Sequence, residues 1–278
     1  MNWNRTKVIL IFLFFLINVF LFNMLGKIEE RNMTIDDDAI NNTISIAQNA
    51  GVEISKEIIP NKRLKNGEME LFGICSEPEI LAERILGKGA TLVKKSTLPL
   101  YYKYENKGKI LEIENGKFTY VDEKANVKPK AKEQSPQKAI FGLEKFGISP
   151  KNVTIVSKGI KNEKNYVSVM PYYKGLKVHG VLLDVFYDGN EITSLSGNWF
   201  DLSDYSEDNS LLTDITLVLT SLSLGERKNI KISEIQMRYY VPQEHLGGRY
   251  VSAIPVYILK LADGEKIVID ARTGESLN

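Results

Sequence analysis

Lys109-Ile110-Leu111-Glu112-Ile113-Glu114-Asn115-Gly116-Lys117-Phe118-Thr119-Tyr120-Val121 alternates polar and apolar side chains on both sides of an Asn-Gly step. Alternation at period two marks a strand with one face in a core, and Asn-Gly supplies the left-handed residues of a tight hairpin. The stretch predicts antiparallel strands 109–114 and 117–121. It sets the fold class as α+β, with helices packed on antiparallel sheets.

Towards the N-terminus, Leu98–Tyr104 reads as another strand, and strand-like sequence continues from Thr91 to Asp122. Ser76-Glu77-Pro78-Glu79 has the pattern of a capping box opening a helix to about Leu86, stopped by Gly87 and Gly89. Val52–Ile59 and Glu68–Ile74 are short strand-like runs around a turn-rich Pro60–Gly67. Thr34 caps a helix to Gly51 with Ala39, Ile40, Ile44 and Ala47 on one face; Asp36, Asp37 and Asp38 complement its dipole rather than form a calcium loop.

Towards the C-terminus, the apolar-poor, lysine-bearing segment 124–134 predicts a linker. A helix over 135–146 then precedes strands around 153–159, 166–173, 176–187 and 191–199. A second helix over 212–224 precedes strands around 232–241, 250–261 and 266–271. Both runs place Asp-Gly before their last strand, at Asp188-Gly189 and Asp263-Gly264, as hairpins prefer. The expected organisation is a subdomain over 27–123, the linker 124–134, and a C-terminal α+β domain over 135–278.

Ahead of all this lies Val8–Leu25, nearly continuous apolar sequence interrupted only by Asn18 and Asn23. At 1.5 Å per residue it reaches roughly 27 Å, enough to span a bilayer. Trp3, Arg5 and Lys7 precede it, and Glu29, Glu30 and Asp36–Asp38 follow. The positive-inside bias places 1–7 in the cytoplasm, 8–25 in the cell membrane and the remainder outside the cytoplasm. The run exceeds a secretory h-region and no small-x-small site follows it, so an uncleaved anchor is expected. Asn18 lies deep enough for an interhelical hydrogen bond and is the candidate transmembrane partner contact; Asn23 lies near the interface.

The chain carries 36 basic and 35 acidic residues, a balance that speaks against nucleic acid. One cysteine, Cys75, excludes an intramolecular disulfide and reads as a buried small hydrophobe. His179 and His245 are too few for the usual metal sites, and no metal or cofactor is expected. Ser135-Pro136-Gln137-Lys138, Ser196-Gly197-Asn198 and Arg272-Thr273-Gly274 follow the order of penicillin-binding motifs. Yet Ser135 leaves a lysine-rich linker as an ordinary N-cap, and the third motif lacks the sheet and helix that should follow it. Glu112 and Glu114 share a solvated strand face rather than form a glycosidase pair. No active site emerges, and the protein is expected not to be an enzyme.

Several stretches resemble the YycI (WalI) family, regulators of the WalK/WalR (YycG/YycF) cell-wall two-component system of Gram-positive bacteria. They are Met1–Lys7 running into a span with Asn18-Val19-Phe20, Ile59–Leu64, Tyr172–Gly180, Glu191–Trp199 and Ile269–Glu275. The later stretches are also similar to PepSY-type domains. The resemblance implies a non-catalytic membrane protein whose partners are the sensor histidine kinase and a YycH-like regulator, with no catalytic residues carried over. The alternatives are a module binding a peptide or cell-wall fragment, with Tyr101, Tyr102, Tyr104, Tyr172 and Tyr173 lining a groove, and a PepSY-like protease inhibitor. Homo-oligomerisation is left open.

Overall fold

A computed structural model describes residues 3–125, 135–189, 191–225 and 229–277. In chain order the elements are α1 Trp3–Asn32, α2 Asp37–Asn49, β1 Val52–Glu53, β2 Lys65–Gly73, α3 Pro78–Leu86, β3 Thr91–Thr97, β4 Leu100–Asn106, β5 Lys109–Glu114, β6 Lys117–Asp122 and α4 Gln137–Gly142. There follow β7 Val153–Lys161, β8 Lys164–Tyr173, β9 Leu176–His179, β10 Leu183–Asp188, β11 Glu191–Gly197, β12 Phe200–Leu211, α5 Ile215–Leu224, β13 Ile230–Tyr240, β14 Tyr250–Leu261 and β15 Lys266–Asp270. The fold is α+β with mostly antiparallel strands.

The chain divides into two compact units, each assembled from separated segments. The first takes residues 1–66, 209–236 and 257–278; the second takes 67–208 and 237–256.

In the first unit, α1 is the apolar helix. Its window Lys7–Gly26 is long and apolar enough to cross a membrane by length and composition, and among the described residues nothing buries it. The charged flank over 27–32 and the side chains of Trp3 and Arg5 lie outside the described side chains. Beyond α1, α2 packs on α5, burying Ile40, Thr43 and Ala47 from one helix and Ile215, Val218 and Leu219 from the other. The cap of α2 is Asp36, not Thr34: its carboxylate accepts from the Asp38 N–H at 3.3 Å. Thr34 instead forms an isolated bridge with Lys62. β1 pairs in parallel with the start of β13, β15 pairs with β14, and the Asp263-Gly264 hairpin joins the last two strands as expected, with Gly264 at φ +94°.

The second unit holds the opening hairpin. Asn115 and Gly116 sit at φ +48° and +81°, the left-handed pair of a two-residue turn. β3, β4, β5, β6, β11, β10 and β8 follow one another across an antiparallel sheet, with β7 also on β8. One face carries Tyr104, Leu111, Phe118, Leu195, Val185 and Val167 into a core closed by Leu81 and Ile85 of α3 and Ala139 of α4. A second core gathers Met69 and Leu71 of β2 with Tyr173, Phe200, Tyr239 and Val251.

Three further expectations need correction, and one strand went unpredicted. The boundary at 124–134, and with it the division into 27–123 and 135–278, falls inside the second unit: Val121 of β6 pairs with Ser194 of β11, so strands from both sides share one sheet. Residues 126–134 of that linker, and Asn190 after Asp188-Gly189, lie outside the described residues. The capping box does not form, because Ser76 closes a 3₁₀ turn and its hydroxyl points to the Gly248 carbonyl, while Glu77 pairs with Arg249 at 2.8 Å. The 135–146 helix is an α-turn, Gln137–Gly142, that tightens to 3₁₀ over Leu143–Phe146 after the glycine. β12 went unforeseen, since its Ser, Asp, Glu and Asn are residues that strands disfavour.

Candidate functional site

The first candidate surface is α1. Asn18 donates from Nδ2 to the Phe14 carbonyl at 2.8 Å, and Asn23 does the same to Val19 at 2.8 Å. Turning one N–H back on the preceding turn lowers the cost of an amide in an apolar helix. A primary amide has a second N–H and an oxygen with two lone pairs, so Asn18 keeps capacity for a neighbouring helix.

The chain leaving α1 is held at once. The Ile35 N–H donates to Asn61 O at 2.9 Å and the Arg63 N–H to Met33 O at 2.7 Å. The Arg63 guanidinium then reaches Asp214, 2.9 Å from Nε and 2.8 Å from a terminal nitrogen to Oδ2. Asp214 is also the N-cap of α5, its other oxygen accepting from the Thr216 N–H at 3.0 Å and hydroxyl at 2.9 Å. Its neighbour Thr213 is fixed by Tyr257, whose hydroxyl donates to its carbonyl at 3.0 Å, and by Ala271, whose carbonyl receives its N–H at 2.7 Å. Two stretches that carried the family resemblance, 59–64 and 269–275, thus meet at the start of α5.

The second candidate surface is the face of the second unit's sheet opposite its core. In register, Lys103, Glu112, Thr119, Ser196, Asp184 and Ser168 form one polar row across six strands. Lys103 lies 3.1 Å from Glu105 and 3.7 Å from Glu112. The Thr119 and Ser196 hydroxyls are 3.3 Å apart, and Ser168 donates to Asp184. The row offers alternating donors, acceptors and charges at sheet spacing.

A cavity of about 170 Å³ lies in the same unit, lined by Lys109, Tyr120, Asp122, Lys145, Phe146 and Glu191 among others. Burial, with the Asp122 and Glu191 carboxylates, pushes the Tyr120 hydroxyl up to about 12.

The tyrosine groove does not assemble. Tyr104 is buried in the core and Tyr102 packs against it. Tyr173 is buried with its hydroxyl donating to Phe200 O at 2.8 Å, whereas Tyr101 lies on the opposite sheet face and Tyr172 is exposed.

The three penicillin-binding motifs have other employment. Ser135 is exposed and does not cap its helix, which Pro136 precedes without a side-chain bond. Asn198 is buried and donates to the Gly116 carbonyl at 3.2 Å. Arg272 pairs with buried Asp270 through two nitrogens, at 3.0 and 2.6 Å. His179 is half-buried and stacks on Tyr240 at 6.0 Å between centroids. Among the described residues no cluster of three or more His, Cys, Asp or Glu is placed to hold a metal. Sequence reasoning missed Arg63 and Asp214 because they lie 151 positions apart.

No family model matches the chain, and no curated protein matches it. The resemblance to the YycI family therefore stands on its motifs alone. Among solved structures the chain is similar to the Bacillus megaterium YpeB C-terminal domain, with 12% identity over 82% of this chain and 97% of that one and a TM-score of 0.37.

Proposed function

We propose that this protein is a non-catalytic, membrane-anchored regulator of a cell-wall sensor histidine kinase, acting by contact. In this reading α1 is an uncleaved anchor with its N-terminus in the cytoplasm, and the second unit, with the rest of the first beyond α1, lies outside the cytoplasm. The kinase is of the WalK (YycG) type, and a YycH-like protein is the second partner. The observation that carries the reading is the helix window Lys7–Gly26, apolar and uncovered among the described residues, with an amide at Asn18 in its middle.

A regulator of this kind must bind one signalling state of the kinase better than another, since equal binding shifts nothing. In lipid such preference comes from close packing and interhelical hydrogen bonds, each about 0.6–2 kcal/mol. Arg63 supports the same reading, because its backbone N–H holds the Met33 carbonyl at the exit of α1 while its guanidinium holds Asp214.

The test is co-purification of the full-length protein with the kinase from membranes. Asn18→Leu reduces recovery several-fold and alters kinase output while the folded units keep their melting behaviour. Unchanged recovery together with unchanged output for Asn18→Leu and for a polyleucine span would reject the reading.

A further inference from the structure

Charge is segregated along this chain in a way its balanced total hides. Between Glu83 and Glu105 there is no acid, only Arg84, Lys88, Lys94, Lys95 and Lys103; between Lys177 and Arg227 there is no lysine or arginine. Each stretch contains a strand at the rim of pairing, β3 in the first and β12 in the second. β3 pairs only with β4 among the described residues, and β12 only with β2.

Each rim is exposed. On β3 every side chain but one is solvent-facing, Leu92 and Val93 included, and its turn presents Leu98 at 92% exposure. Lys94 and Lys95 stand on opposite sheet faces, over the rings of Tyr101 and Tyr102 at 5.5 and 5.4 Å. On β12, Asp204 and Glu207 are exposed, again on opposite faces. Lys174 covers the Tyr205 ring at 4.7 Å, and the Asp204 carboxylate accepts from the Tyr205 N–H at 2.8 Å.

An edge strand offers a row of unpaired N–H and C=O groups to any strand that can approach. Lysines there block a symmetric pairing, because two copies of β3 in antiparallel contact set Lys94 and Lys95 against themselves, and like charges directly opposite are destabilising. They do not block an acidic strand. Two acidic β12 edges repel each other for the same reason, so each edge rejects itself and admits the other. We infer that β3 of one molecule pairs with β12 of a second copy, a head-to-tail contact between the basic and the acidic edge of the second unit. Such a contact is heterologous and can extend beyond two molecules.

The test uses full-length protein in detergent. Single-cysteine variants Lys94→Cys and Asp204→Cys, each with Cys75→Ser, are oxidised alone and mixed. A disulfide-linked dimer forms in the mixture and at least tenfold less in either protein alone. A dimer from Lys94→Cys alone, or no mixed dimer, overturns the proposal, as does preferential coupling of Asp204→Cys to Lys158→Cys on the other basic edge, β7. Carbodiimide treatment of the unaltered protein guards against misfolded variants: it links Lys94 or Lys95 to Asp204 or Glu207 between isotopically distinct copies, and absence of such links also overturns it. Lys94→Glu/Lys95→Glu abolishes the link and Asp204→Lys/Glu207→Lys in the second copy restores it.

Discussion

Asn198 donates its side-chain amide to the carbonyl of Gly116, 3.2 Å away and 82 residues earlier. The β5–β6 turn is thereby pinned beside Leu246, whose carbonyl would lie 2.3 Å from a Cβ built on Gly116. Asn198→Ala removes the donor to this part-buried carbonyl and costs about 1 kcal/mol. Gly116→Ala adds both the collision and the left-handed backbone penalty, and destabilises more. Urea denaturation followed through the buried Trp199 measures both; an Asn198→Ala midpoint equal to the parent's refutes the pinning.

Burial pushes the Cys75 thiol up to about 12. At pH 8 only about one molecule in 10⁴ then carries the reactive thiolate. Alkylation by iodoacetamide is expected to be slow in the native protein and fast in urea, with one adduct per chain by mass spectrometry. Rapid native labelling contradicts the packing of Cys75 on the core.

Burial acts to raise the Asp270 carboxyl, but the Arg272 side chain and the Arg272 and Thr273 N–H groups outweigh it and hold the carboxyl below its ordinary value. Its contribution to stability is therefore complete above the unfolded carboxylate range near 4 and fades as pH falls through the lower folded value. The gap in denaturation midpoint between parent and Asp270→Asn should shrink on going from about pH 6 to about pH 3. A gap that widens in acid reverses the assignment.

Asp214 serves two partners, Arg63 and the first turn of α5. Asp214→Ala should cost about 2–3 kcal/mol, combining a lost cap with a lost ion pair, and Arg63→Ala about 1 kcal/mol. A double-mutant cycle on thermal melts isolates their coupling. Additive effects would show that the pair holds nothing together.

How much of this was legible in sequence varied with the physics that fixed each element. β5 and β6 declared themselves through alternation and Asn115-Gly116, because burial of one face and a two-residue turn are local properties. The turns at Lys107-Gly108 and Lys174-Gly175, which share the left-handed geometry, carry only a glycine as signal. β12 was illegible because the strand is held by its pairing with β2, while its own side chains favour solvent. The joint at Asp214 was hidden for a related reason: an aspartate before a helix announces a cap, but nothing local announces the arginine that shares it. Low apolar content over 124–134 could not announce that β6 before it pairs with β11 well after it, because that pairing is long-range.

Residues 67–208 of the second unit interrupt the first, so α2 meets α5 and β1 meets β13 only after that stretch has been made. During synthesis Ile40 of α2 and Val52 of β1 must wait uncovered until α5 and the start of β13 have emerged. A nascent chain stalled after Leu211 would lack α5 and β13, and would leave α2 and β1 open to proteases and chaperones.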